Sequence, residues 1–261
     1  MRIWRTVLAL VVVVFVASGL VAPPGTAARG GPALPPTGTD VDYQLGGNAP
    51  LPDHVGIVVR DRNARPSGRA YSVCYVNGFQ TQPDEKKFWK KHLGLVLHKG
   101  GRIVVDENWG EWVLDIRTAA KRERLARIVG RWVQGCADDG YEAVEFDNLD
   151  SFLRSRGLIS TKQTKLYAGL LVSAAHDAGL AAAQKNRAAW DGTTVGFDFA
   201  IAEECGRWRE CGSYVDHYGD GVLVVEYRRK DFRYTCRHWG DQLPVVLRDL
   251  DLSPDGVHDY C

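Results

Sequence analysis

Several things are missing from this 261-residue chain, and each absence removes a class of function. Bulk charge is missing: Lys+Arg 33 against Asp+Glu 32 leaves +1. Gripping a phosphate backbone draws on a basic excess, so no nucleic-acid partner is expected. No Gly-x-Gly-x-x-Gly or P-loop pattern is present, which argues against a nucleotide cofactor. Gly-x-Ser-x-Gly is absent too, and with it the standard nucleophile elbow. The seven histidines are scattered, with no H-x-H or H-E-x-x-H, and the cysteines form no C-x-x-C. A bound metal is therefore not expected. No repeat of solenoid period is visible. No apolar run reaches the roughly 20 residues a membrane-spanning helix needs. What remains, 45% hydrophobic and 25% charged, is an ordinary globular composition.

The apolar run at 7–16 follows Arg2 and Arg5 and gives way to small residues ending at Ala27 and Ala28. A charged start, a short apolar core and a small-residue exit predict a secretory signal peptide over 1–28. Its removal takes two arginines and no acids, moving the net charge from +1 to −1. The Gly- and Pro-rich residues 29–42 read as a flexible lead-in. One domain is expected from 43 to 261, extracellular, free of the membrane and monomeric. All six cysteines lie after the leader, and an even count in an exported chain predicts disulfides. Cys205 and Cys211 suit a local staple, and Cys236 with Cys261 would tie down the C-terminus. Cys74 and Cys136 are the remaining pair, with a buried free thiol at Cys74 as the alternative.

Eight short apolar segments read as strands: 55–59, 70–76, 111–114, 143–145, 180–183, 197–201, 222–226 and 243–247. Residues 119–136 and 162–178 carry apolar side chains near a 3.6-residue period and read as amphipathic helices, with Thr161 as an N-cap. Gly140 and Gly179 stand where those helices must stop. Strand alternating with helix, with eight strands in one domain, predicts an α/β protein, a (β/α)8 TIM barrel. Polar residues follow the strands: Asp115, Asp147, Asp150, Lys185, Asn186, Glu203, Glu204, Glu226 and Tyr227. In a barrel these exits meet in one bowl.

The segment Glu145-Phe146-Asp147-Asn148-Leu149-Asp150 is the densest. Strand alternation puts Glu145 and Asp147 on one side. Glu203 ends the sixth predicted strand. Two carboxylates across a bowl can flank a glycosidic bond, one donating a proton, the other attacking the sugar or activating water. Aromatic residues such as Trp109, Trp190, Tyr75 and Tyr227 offer faces for sugar rings. The rival reading is a non-catalytic carbohydrate-binding barrel.

These blocks resemble the barrel of glycoside hydrolase family 114, the endo-α-1,4-polygalactosaminidase-like family. The resemblance runs from Tyr43 onward. Its most specific parts are E-x-D-N-x-D at Glu145 to Asp150, and E-x-C-x5-C through Glu203, Cys205 and Cys211. It implies Asp147 and Glu203 as the catalytic acids. It implies Asp115, Glu145, Asp150, Lys185, Asn186 and Glu226 as support around substrate, with Tyr227 and Trp190 as the aromatic faces expected to bind sugar. It implies a polysaccharide containing α-1,4-linked galactosamine as substrate, and, with neither a nucleotide nor a metal signature in the chain, no cofactor is expected. Unacetylated amino sugars are cations, which suits a bowl rich in carboxylates. The family's N-E-Q-C is Ala202-Glu203-Glu204-Cys205 here, and its E-P-D-N carries Phe146 in place of Pro. The first change removes an amide donor and adds a carboxylate.

Overall fold

A computed structural model describes residues 31–261. The expected signal peptide and the first residues of the lead-in lie outside the described residues. Eight parallel strands follow one another around a nearly closed barrel. They are β1 (Asp40–Gln44), β2 (Val55–Asp61), β3 (Tyr71–Asn77), β4 (Ala143–Asp147), β5 (Ala181–Lys185), β6 (Phe199–Glu203), β7 (Val222–Glu226) and β8 (Val245–Arg248). A ninth strand, β9 (His258–Tyr260), pairs antiparallel with β8. Four helices of two turns or more pack outside: α1 (Ala119–Asp139), α2 (Thr161–Asp177), α3 (Cys211–Tyr218) and α4 (Arg229–Trp239). Helices thus follow only some of the strands, and strict strand–helix alternation is not met.

Two strand expectations are corrected. The segment 111–114 is no barrel strand. Glu111–Trp112 pairs antiparallel with Val105–Asp106 inside the long insertion between β3 and α1. Val113 and Leu114 make single bridges to Gln80 and Val96. Their apolar character reflects burial under that insertion rather than sheet membership. The missing strand is β1, which reaches into the residues read as lead-in. Its polar positions disguise it: Asp42 and Gln44 are fully buried, but against charged partners. Arg248 donates to Asp42 Oδ1 at 3.1 Å and to the Tyr43 carbonyl, and Arg60 donates to Gln44 Oε1 at 3.0 Å. Arg248 thereby ties β8 to β1 across the barrel seam.

The barrel interior follows period-two alternation. Val41, Tyr43, Ile57, Val59, Val73, Tyr75, Ala143, Ala181, Ala183, Phe199, Ile201, Leu223, Val225 and Val246 form one buried cluster. The intervening residues, among them Val144, Phe146, Val222 and Val224, face the helices. Ser160, not Thr161, caps α2. It forms a capping box with Gln163, satisfying end groups of the helix that otherwise lack partners. Gly140 ends α1 at φ +94°, a conformation that suits glycine. Cysteines pair as Cys74–Cys136, Cys205–Cys211 and Cys236–Cys261. The free-thiol alternative at Cys74 is thereby excluded: its side chain faces outward on β3, toward α1.

Candidate active site

At the C-terminal ends of the strands an open cavity of about 560 Å³ is lined by residues of several loops and strand exits. Its floor is built around Lys185, the last residue of β5, which is 2% exposed. The ammonium donates to Tyr43 Oη at 2.7 Å and to Glu145 Oε1 at 2.7 Å. It also lies 3.3 Å from Glu203 Oε2 and 3.7 Å from Asp147 Oδ1. One buried cation thus gathers carboxylates from β4 and β6. Burial opposes its charge, but Asp147, Glu145 and Glu203 outweigh that and hold it ionised well above the usual lysine range.

The three carboxylates differ in access. The Glu145 side chain is fully buried, whereas those of Asp147 and Glu203 are 21% and 24% exposed and line the cavity. Burial lifts Glu145 to about 7 against the pull of Lys185, and Tyr43 donates to it at 2.8 Å. Asp147 accepts from Tyr75 Oη at 2.9 Å and from the Asn148 backbone N–H at 2.7 Å. Glu203 accepts from Asn186 Nδ2 at 3.1 Å and from the Tyr227 hydroxyl. Burial first, and neighbouring carboxylates second, push the phenols of Tyr43, Tyr75 and Tyr227 well above the ordinary tyrosine range. They serve as donors that hold each carboxylate in place. Since both oxygens contact the same Nζ, Asp147 Oδ1 and Glu203 Oε2 are separated by at most 7.0 Å.

Of the residues the sequence singled out, Asp147, Asp150, Lys185, Asn186, Glu203 and Tyr227 line this cavity, with Glu145 beneath them. Three others are not brought to it. Asp115 is buried beside α1, where hydrogen bonds from Arg117 and Lys121 overcome the cost of burial and hold it at about 2. Glu226 shares the outward parity of Val222 and Val224. It accepts from the Gly206 N–H at 2.7 Å and from Thr235 at 2.9 Å. Trp190 is core, 4% exposed and edge-on to Phe197. The reading that these three contact substrate is corrected accordingly.

Other lining residues escaped the sequence reading. Glu111 was hidden in a segment taken for a barrel strand, and Arg154 lies in a loop with no motif. Asn148 stood in the E-x-D-N block without an assigned part. Tyr43, where the resemblance begins, sits on the floor of the cavity. Among the described residues one cluster of metal-type ligands occurs, Cys205, Cys211 and Glu226, and its two sulfurs are already bonded to each other.

The sequence profile of glycoside-hydrolase family GH114 matches residues 22–261. The chain belongs to this family. As a GH114 member it is a glycoside hydrolase with a polysaccharide-degrading TIM barrel. No protein of curated function matches it by sequence. Among solved structures, the fold is similar to Aspergillus fumigatus Ega3 in complex with galactosamine. That match has 20% identity and TM-score 0.69, and covers 92% of this chain and 100% of that one. It is also similar to a variant of the glycoside hydrolase domain of Pseudomonas aeruginosa PelA. There the identity is 13% and the TM-score 0.61, over 86% of this GH114 chain and 99% of the other. The unaltered PelA domain gives 14% and 0.58. Among the described residues no helix is long and apolar enough to cross a membrane.

Proposed function

We propose that this GH114 protein is an exported enzyme that cleaves α-1,4-linked galactosamine-containing polysaccharide, with Asp147 and Glu203 as the catalytic carboxylate pair. The observation that carries the reading is differential access. Of the three carboxylates around Lys185, these two alone reach the cavity. Lys185, Tyr43 and Glu145 form the rigid floor that fixes their spacing. One of the pair protonates the glycosidic oxygen as the bond breaks. The other attacks the anomeric carbon or activates water, and the positive charge developing on the ring is met by the ionised partner. Retaining enzymes hold the two groups about 5–5.5 Å apart and inverting enzymes about 6.5–9.5 Å. The nearest oxygens of this pair are at most 7.0 Å apart, which places the two carboxyl groups within the span these two classes use. Ega3 was crystallised with galactosamine, which supports an amino-sugar substrate for a chain of the same fold. The leader at 1–28 and the three disulfides support export.

The test is turnover of a galactosamine polymer by Asp147→Asn and Glu203→Gln. Each is expected to lose on the order of 10²–10⁴-fold, whereas Glu204→Gln, whose carboxylate is taken up by Arg207 at 2.8 Å, should lose far less. Azide rescue on an activated aryl glycoside assigns the two parts: a retaining enzyme gives the inverted glycosyl azide from the variant lacking the nucleophile and the retained one from the variant lacking the acid/base. Near-normal rates in both variants would dismiss the pair.

A further inference from the structure

Beside Asp147 the cavity has a second wall that the proposed chemistry does not use. It comes from the insertion between β3 and α1 and from the loop after β4. Glu111 is its centre, 8% exposed yet lining the cavity. Its Oε2 accepts from Asn77 Nδ2 at 3.0 Å and from Asn148 Nδ2 at 3.3 Å. Its Oε1 has no hydrogen-bond partner among the described residues. Asp106 and Asp150 flank it, both bound to Arg154, at 2.6 Å and 2.5 Å. Two aspartates against one guanidinium leave this wall negative, and burial raises Glu111 to about 7, so that a cation placed beside it would fix its charge. Among the described residues the wall's one cation, Arg154, is already engaged with the two aspartates, and Glu111 forms no ion pair there.

The wall is also in the right place. Asn148 connects it to the reacting group, donating its side-chain amide to Glu111 and its backbone N–H to Asp147 Oδ1. In an amino sugar the nitrogen is on C2, and C2 is bonded to the anomeric carbon at which both catalytic carboxylates converge. A group that reads that nitrogen must stand next to the catalytic carboxylate, as Glu111 does. A mostly buried carboxylate with one free oxygen suits an ammonium that brings both charge and hydrogen. It suits an acetamido group poorly, because the added acyl carbonyl would crowd a carboxylate oxygen and no charge would be neutralised.

We propose that Glu111 is the specificity-determining residue of this site, binding the free 2-ammonium group of the sugar through Oε1 and so selecting deacetylated over N-acetylated galactosamine units. The assignment rests on the amino-sugar reading above. The Asn77 and Asn148 amides position the carboxylate by occupying its other oxygen. In Glu111→Gln the amide oxygen can still accept from both asparagines. The new NH₂ then points into the cavity as a donor, which an ammonium cannot use.

The test is titration of galactosamine, galactose and N-acetylgalactosamine into the intact protein and into Glu111→Gln, followed by calorimetry or NMR. Wild type should bind galactosamine on the order of ten- to a hundred-fold tighter than the other two, the range of a charge-assisted hydrogen bond. Glu111→Gln should lose that preference. A wild type without amine preference, or a folded variant that keeps it, overturns the proposal. If Glu111→Gln does not fold, Glu111→Asp keeps the charge but withdraws it by one methylene. A reduced amine preference then supports the assignment, and an unchanged one overturns it. Binding requires no turnover. A protein that discriminates the sugars through Glu111 but cleaves no galactosamine polymer would refute the hydrolytic reading alone. Cleavage without amine discrimination would refute only Glu111's part.

Discussion

Replacing Glu226 by Gln should make the protein more stable, by a margin that opens above about pH 4.5 and is complete above about pH 7. Glu226 is fully buried on the outer face of β7. Both of its hydrogen bonds, from Gly206 N–H and Thr235 Oγ1, end on Oε1, while Oε2 is buried without a partner. Burial raises its pKa from 4.5 to about 7, and the two donors only partly offset that. Below about 4.5 the group is protonated in folded and unfolded chains alike, and it costs nothing. Between that pH and about 7 the native state retains a proton that the unfolded chain has released, so stability falls as pH rises. At about 1.4 kcal/mol per pH unit, the loss above pH 7 amounts to about 3 kcal/mol. The Gln side chain imitates the protonated acid, accepting both hydrogen bonds through its amide oxygen. Urea unfolding, followed by tryptophan fluorescence, should therefore give nearly equal stabilities at pH 4.5. At pH 8 Glu226→Gln should be ahead by about 3 kcal/mol. Turnover per folded molecule should be unchanged, because Glu226 does not line the cavity. A gap that does not vary with pH, or a variant less stable than wild type at pH 8, would refute the reasoning.

Lys185→Met should abolish turnover and also destabilise the fold by about 3–5 kcal/mol, because it strands the buried Glu145 carboxylate without its cation; full activity with an intact fold would show that the floor does not hold the pair. Arg248→Leu leaves Asp42 buried at the barrel seam without its ion-pair partner, with His258 at 3.0 Å as the remaining contact that could carry positive charge. A loss of about 3–5 kcal/mol in denaturant unfolding is expected, and a loss within experimental error would mean the seam is held by other contacts.

Local chemistry was enough for part of this protein. The helices over α1 and α2 were readable because amphipathic periodicity and glycine stops are short-range properties. The Cys205–Cys211 staple was readable because six residues of chain keep its ends close. Alternation along β4 put Glu145 and Asp147 on one side, and the structure has both on the barrel side with Asp147 reaching the cavity. The same parity rule, extended along β7, would have turned Glu226 outward and Tyr227 inward. What the chain could not declare was membership. Asp40–Asp42 looks like the end of a linker because this stretch is polar, and partners distant in sequence, Arg248 for Asp42 and Arg60 for Gln44, make the burial of the strand's polar side chains tolerable. Residues 111–114 look like a strand because they are apolar, but hydrogen-bond partners decide which sheet a strand joins, and those partners lie in an insertion. The site shows the same division. Carboxylates at strand exits were visible one by one. Their difference in access, the shared contact with Lys185 and the phenols of Tyr43, Tyr75 and Tyr227 exist only once β1, β3, β4, β5, β6 and β7 surround one axis.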